Sequence, residues 1–130
     1  MSALTQERNT IELLGGISYE RVVAAGNTVY AGSLVAQNAS GKAVPAADAA
    51  NLVVLGRAEN TAAAGETVRV RTGLFVYDSG TSGEAITVTA IGSACYALDD
   101  HTVGLAGGTN TVKAGVVADV IADGVVVKIG

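Results

Sequence analysis

Apolar and polar residues alternate with a period of two along much of this chain. Residues 67–72 alternate strictly, and residues 85–91 do the same. This alternation predicts β-strands with one buried and one solvated face. Residues 125–129 are short and β-branched, which predicts a buried or paired strand. The same criterion predicts further strands at residues 22–23, 29–30, 34–35, 52–55, 74–77 and 116–117.

Turn signals separate the predicted strands. They are glycine-containing pairs or triplets at residues 26–27, 32–33, 40–42, 65–66, 79–80 and 107–108. Short strands at intervals of about 8–12 residues, with turns of this kind, are typical of sandwiches and barrels. We therefore expect an all-β fold, a compact β-sandwich or β-barrel of short antiparallel strands. The sequence predicts one helical turn, around residues 46–50.

The composition narrows the class of protein. Hydrophobic residues make up 49% of the 130 positions, while 15% are charged and 4% aromatic. A disordered chain would be poor in β-branched residues and rich in charge, and a coiled coil would need Leu, Glu and Lys in heptads. The apolar stretch 115–130 contains Asp119, Asp123 and Lys128, so we expect no membrane span. The first residues show no secretory signal, and the single Cys95 agrees with synthesis in a reducing cytoplasm.

The charge argues against nucleic acid as a partner. Eight Lys and Arg residues stand against twelve Asp and Glu, which leaves a net charge of −4. Phosphate binding needs clustered cations, and these are scattered. Arg69 and Arg71 form the densest pair, and strand spacing places them on one face, where they are interpreted as a solvated or interfacial stripe.

Candidate chemistry is confined to one short segment. Asp99, Asp100 and His101 are adjacent, and Cys95 lies just upstream. A zinc site needs ligands on converging positions, whereas neighbouring aspartates in a turn are expected to point apart, so we interpret the segment as a polar loop. Cys95 is interpreted as a small buried hydrophobe rather than a nucleophile. We predict no catalytic residue, no metal ligand and no cofactor, and hence no enzyme.

The N-terminus differs from the rest of the chain. Residues 5–12 are polar and lack glycine, so the sequence predicts an N-terminal arm over residues 1–14 and a single β-rich domain over 15–130. Such an arm either frays, as termini commonly do, or orders against a neighbouring molecule. In the second case Leu4 and Ile11 would be its apolar anchors.

The chain carries more apolar residues than the core of a small β domain is expected to bury. Monomers rarely expose apolar patches beyond a few hundred Å², so we expect part of this surface to be buried between chains. A homo-oligomer, or attachment to a larger surface, follows from that expectation.

Five stretches carry a resemblance to a known family. Residues 28–36, 41–46, 54–60, 65–75 and 92–100 follow one another in an order that resembles the small capsid cement, or head-decoration, proteins of tailed bacteriophages. The resemblance covers most of the chain from about residue 22 onward. It rests on the order and combination of glycine turns and β-branched strands.

The resemblance implies a structural virion protein. It implies a protein made in the host cytoplasm that binds the outer capsid surface, with the major capsid protein as its partner. A trimer is expected, with a dimer as the alternative, and the arm would reach the shell or a neighbouring subunit. The alternative function is a carbohydrate- or receptor-binding β-module, which the low aromatic content disfavours. Because charges are scarce, the candidate interface residues are the arm residues and three arginines: Leu4, Glu7, Arg8, Ile11, Glu12, Arg57, Arg69 and Arg71.

Overall fold

The structure is a computed structural model that describes residues 17–130 together with Ala3 and Gln6. The described residues form twelve β-strands and two 3-10 turns, which confirms the all-β prediction. The two turns are Ser82–Glu84 and Val88–Ala90. The strands are β1 (Ser18–Val22), β2 (Thr28–Val29), β3 (Leu34–Gln37), β4 (Ala43–Pro45), β5 (Val53–Ala58), β6 (Ala62–Ala63), β7 (Thr67–Arg71), β8 (Gly73–Ser79), β9 (Ala94–Ala97), β10 (Thr102–Gly104), β11 (Lys113–Ile121) and β12 (Gly124–Ile129).

Five strands within residues 18–71 form an antiparallel sheet in the order β1-β7-β5-β3-β4. The predicted alternation is clear in β7, where Val68 and Val70 are fully buried and Arg69 and Arg71 are exposed. The short pair β2–β6 lies beside this sheet. We call the resulting cluster the sheet core: Val23, Val29, Val35, Ala43, Leu55, Ala58, Ala62, Val68 and Val70.

The last five strands close into a barrel in the order β10-β8-β12-β11-β9. Four of its junctions are antiparallel, and the junction between β8 and β10 is parallel. The expectation of purely antiparallel strands is therefore wrong at this place. A closed ring of five strands cannot alternate direction all the way round, so one junction has to be parallel.

Strand β3 joins the sheet to the barrel. Leu34 and Ala36 are fully buried in the cluster that fills the barrel, whereas Val35, between them, is fully buried in the sheet core. Successive side chains of a strand point to opposite faces, so one strand supplies both clusters. The remaining barrel core includes Val103, Val117, Cys95, Val125 and Val127, all almost completely buried.

The strand predicted at residues 85–91 is not formed. This segment contains the second 3-10 turn, and only Ile86 and Ala90 of it are buried. The chain has to cross here from β8 to β9, which are separated in the barrel by β10. No described strand pairs with the segment, so its backbone groups have no partner strand to form a ladder of hydrogen bonds with.

The helical turn predicted at residues 46–50 is also wrong. This segment is irregular and follows β4, which ends at Pro45. Ala46 is buried in the barrel core, and the side chain of Asp48 binds a distant loop instead of capping a helix.

Candidate interaction surfaces

An exposed cluster of titratable side chains lies where β8 meets β10. Nδ1 of His101 lies 3.1 Å from Oδ2 of Asp78, and Nε2 of His101 lies 3.6 Å from Oδ1 of Asp99. The parallel register places Thr102 opposite Asp78, which brings the preceding His101 within reach. The hydrogen bond to Asp78 and the negative charge of Asp99 raise the pKa of His101.

The expectation that Asp99 and Asp100 point apart is wrong. One ligand atom each of Asp99, Asp100 and His101 lies within 4.8 Å of the others. The backbone N–H of His101 donates to Oδ1 of Asp99, so the turn itself folds the carboxylate back toward the ring. Carboxylate and imidazole groups at this spacing are a metal-compatible donor set. The imidazole is 65% exposed and the Asp99 carboxylate 50% exposed, as is usual for a solvated turn.

Cys95 does not join this cluster. It faces the barrel core, where it is fully buried, and its Sγ lies 3.7 Å from the carbonyl oxygen of Gly115. Burial raises the pKa of the thiol to about 11. A thiol of this kind is a packing group, in agreement with the sequence-based interpretation, because nucleophilic cysteines need a depressed pKa.

A second polar arrangement holds the loop between β10 and β11. The backbone N–H groups of Ala106, Gly107 and Gly108 donate to the carboxylate of Glu84, each at 2.8 Å. Successive N–H groups that converge in this way form an anion-binding concavity. Here the chain's own Glu84 fills it, and the bonds from Gly107 and Gly108 lower the pKa of Glu84.

Asp48 holds the next two residues of the same loop. Its carboxylate accepts from the backbone N–H of Thr109 at 2.9 Å and of Asn110 at 2.8 Å. The side-chain amide of Asn110 also donates to Asp48. These bonds lower the pKa of Asp48. Two carboxylates distant in sequence therefore fix one loop.

Neither carboxylate is identified by a local sequence pattern. The related signal in the sequence is the presence of glycine at these positions. A Cβ added at Gly104 would collide with the Glu84 carboxylate, and a Cβ added at Gly108 would collide with the Asp48 carboxylate. Glycine allows this close approach, but nothing in the sequence shows which distant acid makes it.

Two of the three predicted arginines meet on the open sheet. Arg57 and Arg71 are cross-strand neighbours on β5 and β7. Oε1 of Glu59 lies between them, 3.6 Å from Nη1 of Arg57 and 3.1 Å from Nε of Arg71. The guanidinium of Arg57 also lies 5.9 Å from the centre of the Phe75 ring. This packing holds Arg57 against the barrel and leaves Arg71 more exposed.

Arg69 shares a face of β7 with Arg71 and lies opposite Glu20 of β1. We call Arg57, Arg69 and Arg71 the arginine face. Both Arg69 and Arg71 are exposed, so they are available for contacts. The other predicted interface residues are Leu4, Glu7, Arg8, Ile11 and Glu12, which lie outside the described residues.

The barrel carries exposed apolar side chains within its strands. Leu74 is 62% exposed and Val76 46% exposed, both on the outward side of β8. Among the large hydrophobic residues that the structure describes as exposed, these two alone lie inside a strand rather than at its first or last residue. Their outward neighbours on β12 and β11 are mixed: Lys128 lies opposite Leu74 and Asp119 lies opposite Val126, whereas the others are apolar. We call the apolar residues of this surface the barrel face: Leu74, Val76, Val116, Ile121 and Val126.

Within residues 17–130, no surface pocket is found. No helix in this part of the chain is long and apolar enough to cross a membrane. Comparison with known proteins gives no significant match among family models, curated proteins or solved structures.

Proposed function

We propose that this protein is a structural virion protein that binds the outer surface of a phage capsid as an oligomer and stabilises the head. The observation that carries the proposal is the barrel face, where Leu74 and Val76 remain exposed inside a regular strand. A small monomer has little reason to keep such side chains in water, since burying each stabilises by about 1.5–3 kcal/mol. The proposal also rests on the resemblance to head-decoration proteins given by the order of the strands and turns.

The arginine face supplies the polar contacts in this proposal. Arg69 and Arg71 project from β7, and the buried Val68 and Val70 hold the strand that carries them. Arginine forms bidentate bonds with carboxylates, so we propose that acidic groups of the major capsid protein lie opposite this face. The chain carries few other cations, which makes these two the strongest candidates.

The mechanism we propose is multivalent attachment. Each copy makes a modest contact with the shell, and association of copies makes the later contacts intramolecular. Linked binding of this kind raises avidity by about 10²–10⁴ without any new contact. A decorated shell would then resist heat and osmotic shock because several capsid subunits are held by one oligomer.

A carbohydrate- or receptor-binding module receives less support. Such modules use exposed aromatic rings as platforms. Tyr30, at 61%, is the one aromatic side chain in the described part of the chain that is exposed by more than a third.

The experiment that tests the proposed function is co-sedimentation with undecorated capsids of the phage that encodes this chain. We expect saturable binding and a higher temperature of capsid disruption in the decorated sample. The paired variant Arg69→Glu/Arg71→Glu should bind at least ten times more weakly, whereas Lys42→Glu, at another exposed cation in a turn of the same sheet, should bind normally. Failure of the unmodified protein to sediment with capsids overturns the proposal.

The predicted arm is tested by deleting residues 1–12. Strand β1 begins at Ser18 and pairs with β7, so the deletion leaves every described strand intact. We expect the thermal midpoint of the shortened protein to stay within about 2 °C, because surface changes away from packed groups alter stability little. Capsid binding should weaken. Equal binding by the shortened protein would show that residues 1–12 do not attach it.

A further inference from the structure

The two halves of the chain repeat one arrangement of five strands. In the first half the neighbours run β1-β7-β5-β3-β4, and in the second half they run β8-β12-β11-β9-β10. With β2 and β6 set aside, each run places the first strand of its half beside the fifth, followed by the fourth, the second and the third. The contact that links the third strand back to the first is parallel in both halves, a single bridge from Val23 to Ala43 in one and the β8–β10 junction in the other.

The correspondence between the halves extends to single residues. In each half a bulge lies in the fourth strand, at Leu55 and at Ala114. The residue that follows is glycine in both, because a Cβ there would collide with the carbonyl group opposite, that of Arg71 in the first half and that of Lys128 in the second. Arg71 and Lys128 therefore occupy the same structural position.

The outward side chains at equivalent positions differ in chemistry. In the first half they are Ser18, Glu20, Arg57, Arg69 and Arg71, and in the second half they are Leu74, Val76, Val116, Val126 and Lys128, in the same order and the same pairing register. One backbone arrangement therefore accepts polar and charged side chains at places where the second half carries apolar ones. The fold itself does not account for the apolar character of the barrel face.

An acidic residue lies in the middle row of the barrel surface. Asp119 of β11 lies opposite Val126 of β12, and its side chain is exposed. Oδ1 of Asp119 accepts a hydrogen bond from the backbone N–H of Val120 at 2.8 Å. A molecule that covers the barrel face also removes water from Asp119, and a carboxylate that loses its hydration needs a cation or a donor beside it.

A second copy of this chain does not meet that requirement. Two barrel faces related by a two-fold axis through their middle would set Asp119 against Asp119. Three strands at about 4.8 Å spacing, over about five residues of about 3.3 Å, give a face of about 240 Å². A stable dimer buries about 800 Å² on each partner. The barrel face is therefore suited to a different protein and to one contact among several.

We propose that the barrel face binds an apolar surface segment of the major capsid protein that carries a lysine or arginine opposite Asp119. This inference rests on the proposed function and names the chemistry of one contact within it. The arginine face of the first half then meets acidic groups, while the equivalent surface of the second half meets apolar groups and one cation. A shell repeats the same segment many times, so a face too small to hold a dimer contributes through multivalent attachment.

The first half of the chain supplies the variant that tests this contact. Val76→Glu/Val126→Arg gives the barrel surface the residues Glu20 and Arg69, which lie opposite each other at the same positions of the first half. The net charge is unchanged, and we expect the thermal midpoint to move by less than about 3 °C. Affinity for undecorated capsids should fall by about tenfold or more. Val53→Glu, at an apolar residue 59% exposed on the sheet, is the control and should bind normally.

Co-sedimentation with capsids separates this inference from the proposed function. Equal binding by the double variant and the unmodified protein overturns the barrel-face contact and leaves the proposed function standing. Failure of the unmodified protein to bind capsids overturns the proposed function itself. A thermal midpoint of the double variant lower by about 10 °C or more would show that the fold requires these apolar side chains, and would overturn their assignment to a contact.

The cation opposite Asp119 is tested by a second pair of variants. Asp119→Lys should weaken capsid binding by about tenfold or more, because it sets like charges against each other. Asp123→Lys makes the same change of net charge in the turn of the same hairpin, outside the barrel face, and should alter binding by less than about twofold. Normal binding by Asp119→Lys, or equal weakening by both variants, overturns the placement of a cation opposite Asp119.

Discussion

The open sheet and the barrel are built from the same kinds of residue but differ in closure and in charge. Residues 17–72 contain five Lys or Arg and four Asp or Glu, whereas residues 73–130 contain two and six. The sheet ends in two edge strands, β1 and β4, which a single bridge between Val23 and Ala43 connects, while the barrel has no edge strand. Edge strands offer backbone groups for pairing, so a closed barrel can associate only through its side chains. Association of the barrel with another molecule therefore depends on the side chains that are exposed on its outer surface.

The two regions also hold their loops by different chemistry. In the sheet, Oδ1 of Asn38 accepts from the backbone N–H groups of Ser40 and Lys42, at 2.9 and 3.0 Å. In the barrel, the carboxylates of Glu84 and Asp48 accept hydrogen bonds from the backbone N–H groups of residues 106–110. A neutral amide does not titrate in the acid range, but a carboxylate does, so the two regions should respond differently to pH.

The largest predicted effect tests whether β3 couples the stability of the sheet to that of the barrel. Leu34→Ala removes a fully buried side chain that the sheet's β3 places in the barrel core. We expect the free energy of unfolding to fall by about 2–5 kcal/mol, because truncation leaves a cavity. Urea unfolding followed by circular dichroism measures the change. A loss below about 1 kcal/mol, or a separate early transition of the sheet alone, would show that β3 does not couple the two cores.

An intermediate effect concerns the loops. The hydrogen bonds lower the pKa values of Glu84 and Asp48, so both carboxylates stabilise the folded loop fully above the ordinary carboxyl pKa of about 4. That stabilisation is lost as the pH falls through the lowered folded-state values. We expect amide exchange at residues 106–110 to accelerate in acid, relative to exchange at residues 40 and 42.

The variant Glu84→Gln sharpens the same comparison at neutral pH. It keeps the shape of the side chain and removes its charge, so exchange should accelerate at residues 106–108. Asp48→Asn is the matched change for residues 109 and 110. Hydrogen exchange read by NMR separates the two sets of amides. Equal acceleration of both sets by either variant would contradict independent anchoring of the loop by the two carboxylates.

The smallest predicted effect concerns the pKa of His101 in the exposed cluster where β8 meets β10. The hydrogen bond that His101 donates to Asp78 is the largest cause of the raised pKa of His101, followed by the charge of Asp99 and then that of Asp100. Asp78→Asn should therefore lower the pKa most and Asp100→Asn least. NMR titration of the imidazole protons measures this order, and its reversal would contradict the geometry.

The sign of the associated stability follows from the raised pKa. The contribution of protonated His101 is complete below its unfolded-state pKa and is lost as the pH rises through the folded-state pKa. We expect it to be small, because the imidazole is 65% exposed and solvent screens its interaction with Asp78.

Local patterns predicted the strands well where a partner strand was present. Residues 67–72 and 125–129 alternate or are β-branched, and both belong to strands with neighbours on the ladder. Residues 85–91 alternate equally well and form no strand, because the barrel needs them as a crossover. Alternation describes which face of a segment is apolar, and it carries no information about whether a partner strand is in reach.

The candidate surfaces were harder to predict than the strands. The face shared by Arg69 and Arg71 follows from spacing alone, but the approach of Arg57 to Arg71 depends on the pairing of β5 with β7. The anchoring of residues 106–110 by Glu84 and Asp48 depends on contacts between positions 22 to 62 residues apart. Local patterns cannot specify contacts of that range.

By itself the sequence determined that this chain is all-β, turns at glycine, buries valine and alanine on alternate positions, and carries an excess of acid in its second half. These properties follow from backbone geometry and the period of the strand, which act over a few residues. Only the tertiary structure decided that the last five strands close into a barrel, that β3 serves two cores, and that Leu74 and Val76 stay exposed on its outer surface. Those outcomes depend on which strands pair and in what register, and that is settled by the packing of the whole chain.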